Sequence, residues 1–109
     1  MKNKKIIVDN QLILNDVSLV VTYIDRAFHG RSFFTGLTTP KIRKIAADTY
    51  KQLPSHQKDK VFCWCESLLK EAKWEYGIVA FDWAYRVSDQ YDDQTFFLFE
   101  SWLMKYVRG

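Results

Sequence analysis

The chain of 109 residues is poor in the residues that make turns and cross-links. Its four glycines and two prolines are too few for the many tight turns of an all-β fold. Its two cysteines, Cys63 and Cys65, stand two apart in a predicted helix, where side chains point away from each other. We therefore expect two buried or half-buried thiols rather than a disulfide or a metal site, and nothing indicates an oxidising compartment.

The usual catalytic and ligand-binding patterns are also missing. His29 and His56 lie at predicted helix ends, without a cysteine or carboxylate at metal-ligand spacing. No Ser-His-Asp or Cys-His arrangement stands out, and no glycine-rich phosphate loop follows a strand. We expect no metal and no cofactor.

Long apolar runs are absent as well. The basic start, Met1 to Lys5, is followed only by the apolar residues Ile6, Ile7 and Val8. That run is too short for a signal peptide, and no later segment is long enough to span a bilayer. The sequence predicts a cytoplasmic protein without a membrane partner.

What the chain does contain favours one packed helical domain. Nearly half of its residues are apolar, with four Trp, six Tyr and eight Phe, so disorder is not expected. Apolar residues recur at three- and four-residue steps and predict helices over about 16–29, 40–53, 56–72, 74–87 and 94–107. The stretch 6–14 fits either a short helix or an extended arm. Predicted caps are Thr39, Ser55, Asp92 or Asp93, with Gly109 as a C-terminal stop.

The spacing of these helices suggests a repeat. Counted from starts near residues 39, 55, 74 and 92, the second to fifth helices begin sixteen to nineteen residues apart, so a pair occupies about 35 residues, close to the period of helical-repeat arrays. We predict an all-α fold of about five helices, arranged as paired antiparallel helices in a single α-solenoid fragment over residues 1–109. A compact helical bundle is the alternative.

The segment 33–43, F-F-T-G-L-T-T-P-K-I-R, predicts a sharply defined helix N-terminus. Gly36 can supply a positive φ, and Pro40 suits the first helical position. Such an end attracts anions, and Lys41, Arg43 and Lys44 add positive charge. The competing interpretations are an ordinary loop-to-helix junction with solvated charges, and Arg43 as a structural ion-pair partner of Glu75 or Asp82.

The same segment resembles the phenylalanine-rich G-x-x-T-P-x-x-R stretch near the start of the DNA alkylation repair glycosylases built from HEAT-like helical repeats, the AlkD-like group. The similarity extends to K-W-E-Y-G-I-V-A-F-D-W at Lys73–Trp83, where Glu75, Ala80 and Asp82 stand in corresponding places.

The resemblance implies a curved stack of HEAT-like helices that binds duplex DNA through its phosphate backbone. It implies hydrolysis of the N-glycosidic bond of cationic alkylated purines, such as 3-methyladenine and 7-methylguanine. Thr38, Thr39 and Arg43 are the implied DNA contacts, with Lys41 and Lys44 as further phosphate contacts. No residue matches the family's catalytic aspartate or arginine, so we expect an N-terminal portion that is inactive alone.

Two further expectations follow from this interpretation. An isolated portion of a solenoid would expose an apolar repeat face and self-associate through it. The alternatives to a glycosylase portion are a non-catalytic helical-repeat module that binds DNA or protein, and a protein-interaction scaffold. The four tryptophans could stack bases, although helical spacing favours core packing.

Overall fold

The computed structural model describes residues 10–29 and 38–106. Within these ranges the fold is all-helical, without strands, which confirms the predicted all-α class. A single 3-10 turn, Ser88–Gln90, precedes the last helix. The six α-helices are α1 (Asn10–Asn15), α2 (Leu19–His29), α3 (Thr39–Lys51), α4 (Lys58–Leu69), α5 (Trp74–Arg86) and α6 (Asp93–Tyr106). One more helix is present than predicted, because the ambiguous N-terminal stretch forms the short α1.

Local side-chain hydrogen bonds explain where the helices begin. The predicted first helix starts later than expected, at Leu19, because Asp16 Oδ1 accepts hydrogen bonds from both the backbone N (3.1 Å) and the hydroxyl (2.7 Å) of Ser18. Ser55 was expected to cap α4, and this is wrong: the N-cap is Gln57, whose backbone N donates to Ser55 Oγ at 3.1 Å. The hydroxyl therefore stabilises the turn before the helix.

The N-terminus of α6 was predicted correctly. Thr95 N donates to Asp92 Oδ1 at 3.1 Å, and Asp92 N donates to Thr95 Oγ1 at 3.0 Å. Two donors are satisfied reciprocally, as in a capping box. The predicted stop at Gly109 lies outside the described residues.

Helices that lie about 35 residues apart run in the same direction. Along α3 and α5, the Trp83 indole donates to the Ala46 carbonyl at 2.9 Å, and one turn later Arg86 stands over the Tyr50 ring at 5.7 Å. Along α4 and α6, Lys58 contacts Asp92 near the N-terminal ends. Near the C-terminal ends, Tyr106 donates to Glu66 Oε2 at 2.8 Å. α5 runs antiparallel to α4, which it follows after a short turn.

The turn between α4 and α5 contains the one non-glycine residue with positive φ in the described ranges, Ala72, at φ 59°. The sequence had placed Ala72 at the end of the predicted third helix. That helix instead ends at Leu69, and the left-handed Ala72 reverses the chain so that α5 packs back on α4.

Three tryptophans lie in the core, and they connect the helices. Trp64, Trp83 and Trp102 have no exposed surface. The Trp64 indole donates to the Ile13 carbonyl at 3.3 Å, which ties α4 to α1, while Trp83 ties α5 to α3. Packing of these rings is the usual role of tryptophan at helical spacing, as the periodicity favoured.

No helix among the described residues is long and apolar enough to cross a lipid bilayer.

Candidate functional site

The start of α3 was the strongest candidate site in the sequence, and its cap differs from the prediction. The N-cap is Thr38, with φ −93° and ψ 160°, and Thr39 is already helical. The Thr38 carbonyl accepts from Ile42 N at 3.0 Å, but its hydroxyl makes no capping hydrogen bond. Pro40 is therefore the second helical residue, one position later than predicted, but still in the first turn, where proline is tolerated. Both threonine side chains are exposed. Gly36 and the preceding residues of the segment lie outside the described ranges.

The five predicted contact residues are all exposed, but they do not share one surface. Ile42, Ile45, Ala46 and Thr49 form the buried side of α3. With 3.6 residues per turn, Arg43 projects from one flank of that side, toward α5, whereas Lys41 and Lys44 project from the other. Arg43 alone of the three cations lines a cleft with α5. The remaining two contribute charge to the outer surface of α3.

This cleft, of about 590 Å³, lies between α3 and the outer side of α5. Its walls combine one cation, one carboxylate and several apolar or aromatic side chains. Trp74, with 58% of its surface exposed, and Tyr85 are the most open of the rings. The lining residues are Arg43, Trp74, Gly77, Ile78, Phe81, Asp82 and Tyr85. An open aromatic wall beside an unneutralised guanidinium suits a ligand that is both planar and anionic.

Arg43 does not form the structural ion pair that the sequence left open. Among the described residues no salt bridge joins Arg43 to Glu75 or Asp82. The Asp82 carboxylate instead accepts a 2.7 Å hydrogen bond from Arg86 Nε, one helical turn later. An i, i+4 partner on the same helix is always within reach, whereas Arg43 would have to cross between helices. Within residues 10–29 and 38–106, the guanidinium of Arg43 therefore has no ion-pair partner.

The Arg86 side chain contacts two residues beside the cleft, Asp82 and Tyr50. It pairs with Asp82, and its guanidinium lies 5.7 Å from the centroid of the Tyr50 ring. That ring in turn stacks on His56 at 4.2 Å, and the His56 ring nitrogen Nε2 lies 2.8 Å from the Tyr50 carbonyl. These contacts fix Asp82 at the edge of the cleft rather than leaving it to rotate into the opening.

The aromatic wall of the cleft was missed at the sequence level. Ile78 and Phe81 were assigned to the apolar body of the fourth predicted helix, with no distinction between its sides. The missing signal is a second periodic row: residues 74, 78, 81 and 85 recur at four-, three- and four-residue steps. This row lies opposite the buried Val79 and Trp83, so it marks an exposed apolar stripe.

Metal and thiol chemistry find no support in the described residues. No group of three or more His, Cys, Asp or Glu side chains there could hold a metal ion. Cys65 is buried, and burial raises the pKa of its thiol. Its Sγ lies 3.1 Å from the Ala80 carbonyl. Cys63 is exposed, which corrects the expectation that both thiols would be at least half-buried.

Comparison with known proteins agrees with this arrangement. No curated protein and no solved structure matches the chain. The family model described as DNA alkylation repair enzyme matches residues 21–108, which include the α3 start, the cleft and all of α6. A match over most of the chain indicates a function related to DNA repair, with DNA as the partner. The chain belongs to the DNA alkylation repair enzyme family.

Proposed function

We propose that this chain is the DNA-binding N-terminal part of an N-glycosylase that removes cationic alkylated purines, such as 3-methyladenine and 7-methylguanine, from duplex DNA in the cytoplasm. The observation that carries the proposal is the exposed Arg43, which has no ion-pair partner among the described residues and lies at the mouth of an aromatic cleft. In a HEAT-like array, this cleft would belong to the surface that faces DNA.

The α3 start supplies the phosphate contacts in this proposal. Thr38 and Thr39 present free hydroxyls at a helix N-terminus, where orphan N–H groups and the helix dipole favour an anion. Arg43 offers a bidentate guanidinium that matches a phosphate. Lys41 and Lys44, on the other flank of α3, strengthen the field without a fixed geometry.

The chemistry that the proposal requires is modest. An alkylated purine carries positive charge and is already a good leaving group. The transition state is therefore stabilised mainly by acidic groups near the sugar and by rings that attract the cationic base. The exposed rings of α5 stand beside the Arg43 guanidinium, which would repel a cationic base, so none of them is assigned to this role. No residue of this chain is assigned as the catalytic carboxylate.

The decisive experiment compares Arg43→Ala with Lys51→Ala, an exposed cation at the other end of α3. Affinity for a closed duplex is measured at several salt concentrations. We expect Arg43→Ala to weaken binding and to reduce the slope of log K against log salt by about 0.9, the value of one phosphate contact. Lys51→Ala should leave the slope nearly unchanged.

Equal slopes for the two variants would contradict the assignment of Arg43. Circular dichroism melting serves as the folding control. If Arg43→Ala lowers the melting temperature while the folded fraction binds as tightly as the unmodified protein, Arg43 has a structural role only.

Two other candidate functions remain distinct from the glycosylase. A non-catalytic helical-repeat module would show the same salt-dependent binding but no excision, which release of 7-methylguanine by the whole protein would detect. A protein-interaction scaffold would show no salt-dependent duplex binding at all. The family match favours the glycosylase over these two alternatives.

We also propose that two copies associate through α6. Four of its large apolar side chains are mostly exposed: Phe96, Phe97, Leu103 and Met104. The exposed acids Asp93 and Glu100 lie on the same helix and would repel DNA. A second copy supplies the same apolar side chains and, in the exposed Lys105, a cation that can face these acids.

A further inference from the structure

A second groove adjoins the Arg43 cleft on the far side of α5. It has a volume of about 610 Å³ and shares Trp74, Gly77 and Phe81 with the first cleft. The turn before α5 and the end of α6 form its other wall. The start of α5 is therefore a ridge with an open groove along each side. A Cβ at Gly77 would meet nothing within 4 Å, so the space above this position is open.

The charged side chains that line the second groove are all cations, although Glu66 accepts a hydrogen bond from the lining Tyr106 and Glu71 lies in the adjoining turn. Lys70, Lys73 and Lys105 line it, and no Asp or Glu is among its lining residues. Lys73 Nζ also lies 5.3 Å from the centroid of the Tyr76 ring, which holds this ammonium close to the start of α5. With Arg43 on the opposite side of the ridge, cations flank the exposed Trp74 and Phe81 on both sides.

We propose that this ridge binds a DNA strand whose bases are unpaired, with bases stacked on Trp74 and Phe81 and phosphates on Lys70, Lys73 and Arg43. The inference rests on the proposed function and adds the form of the DNA. Exposed rings between cations are the arrangement by which proteins hold single strands. A closed duplex offers its phosphates to the cations but hides the base faces, so it leaves Trp74 without a stacking partner.

The tryptophans provide a direct reporter of this contact. Trp74 is 58% exposed, whereas Trp64, Trp83 and Trp102 have no exposed surface. Quenching of tryptophan fluorescence by added DNA therefore reports on Trp74. The probes are a mixed-sequence single strand of about 12 nucleotides, within the footprint of single-strand binding proteins, the same sequence as a closed duplex, and that duplex with a short gap.

We expect the single strand and the gapped duplex to bind more tightly than the closed duplex and to quench the emission, which the closed duplex should leave nearly unchanged. Trp74→Ala should lower affinity for the single strand about fivefold or more, the loss of one stacked base. Its loss of closed-duplex affinity should be smaller than its loss of single-strand affinity. Trp74→Phe keeps a ring and should retain most of the affinity while losing the quenching.

The lysines are tested separately from the ring. Lys73→Ala should reduce the salt slope for the single strand by about 0.7, and Lys51→Ala is again the matched control. Trp74 is exposed and lies in the first turn of α5, so its substitution should not unfold the domain, and thermal melting checks this.

The outcomes separate the two proposals. If no form of DNA binds, the proposed function fails together with this inference. If the closed duplex binds through Arg43 but the single strand binds no better and Trp74 is not quenched, only the inference fails. Quenching that grows with protein concentration in the absence of DNA would assign the ridge to a second copy of the chain and would also overturn it.

Discussion

At the scale of single residues, the three buried tryptophans differ in how their indole N–H groups are satisfied. Trp83 donates to the Ala46 carbonyl at 2.9 Å and Trp64 to the Ile13 carbonyl at 3.3 Å. The buried Trp102 N–H finds no acceptor among the described residues. A buried N–H without a partner costs about 1–3 kcal/mol. The packing of the Trp102 ring is therefore partly offset by the cost of its unsatisfied N–H group.

This difference predicts unequal effects of the same substitution. Trp83→Phe leaves a cavity and loses a hydrogen bond, whereas Trp102→Phe leaves a cavity but removes an unsatisfied donor. We expect Trp83→Phe to reduce the free energy of unfolding by about 1–3 kcal/mol more than Trp102→Phe. Urea unfolding measures both, with an unchanged m-value as the check on two-state behaviour. Equal losses would mean that the Trp102 N–H is satisfied in solution.

Residues also show what the sequence could and could not predict at the candidate site. The exposed hydroxyls and cations near Pro40 follow from local chemistry, and the sequence identified them. The choice between Thr38 and Thr39 as the N-cap does not follow from local chemistry. Both residues carry a hydroxyl, and proline is tolerated in the first turn in either case. The Asp82–Arg86 pair spans one turn of a single helix, so its spacing was visible in the sequence. It was missed because only Arg43 was considered as the partner of Asp82.

At the scale of elements, the sequence predicted the bounds of the helices better than it predicted which side of each helix is buried. Helices α3 and α5 were placed within two residues, because each has a clear start and an apolar period. α5 is apolar nearly all round, so its sequence does not tell the buried side from the side that lines the clefts. The distinction arises only when Val79 and Trp83 pack against α3 and α4, which leaves the row of Trp74 and Phe81 outside.

The docking of α6 depends on a small polar cluster at its start. Lys58 Nζ lies 2.7 Å from Asp92 Oδ2, and Lys58 N donates to Gln90 Oε1 at 2.7 Å. Gln90 Nε2 donates in turn to the His56 carbonyl at 2.9 Å. The hydrogen bond from Lys58, followed by that from Thr95, lowers the pKa of Asp92 below its ordinary value of 3.8.

The sign of this shift predicts acid sensitivity. Because the pKa of Asp92 is lower in the folded chain, the unfolded chain binds more protons in acid, and the stabilisation present above pH 3.8 is lost as the pH falls through the folded pKa. Asp92→Asn should therefore be less stable than the unmodified protein at neutral pH and should lose less stability on acidification. Urea midpoints at neutral pH and below the ordinary pKa measure this difference.

Asp93→Asn is the matched control for this experiment, because Asp93 is exposed and begins the same helix. It should become less stable in acid as steeply as the unmodified protein. If Asp92→Asn loses stability with pH as steeply as Asp93→Asn, the Lys58–Asp92 contact does not couple α6 to pH.

At the scale of the whole molecule, the large exposed hydrophobic side chains of the described residues all lie on α5 and α6. The two helices differ in the balance of nearby charge. Four cations and one carboxylate, Asp82, line the grooves beside the α5 rings, whereas the α6 patch of Phe96, Phe97, Leu103 and Met104 shares its helix with two exposed acids and one cation. Under the proposed function, DNA binds along α5 and a second copy binds along α6. This division allows DNA binding and self-association to be separated by mutation.

The size of the α6 patch sets the expected strength of self-association. Its four side chains are 55–74% exposed, and at about 150–250 Å² for a large aromatic they offer on the order of 500 Å² per copy. A standard interface buries about 800 Å² per partner, so the dimer should be weak and dependent on concentration. Sedimentation velocity over a wide range of protein concentration should show a monomer that converts reversibly to a dimer.

Leu103→Asp should shift that equilibrium to monomer, because an added carboxylate in the centre of an apolar contact loses its hydration without gaining a partner. The same variant should bind DNA as the unmodified protein does, whereas Trp74→Ala should dimerise normally and bind the single strand poorly. Dimerisation that survives Leu103→Asp but fails in Trp74→Ala would place the contact between copies on α5. Binding of DNA and of a second copy would then compete for the same rings, and added single-stranded DNA would dissociate the dimer.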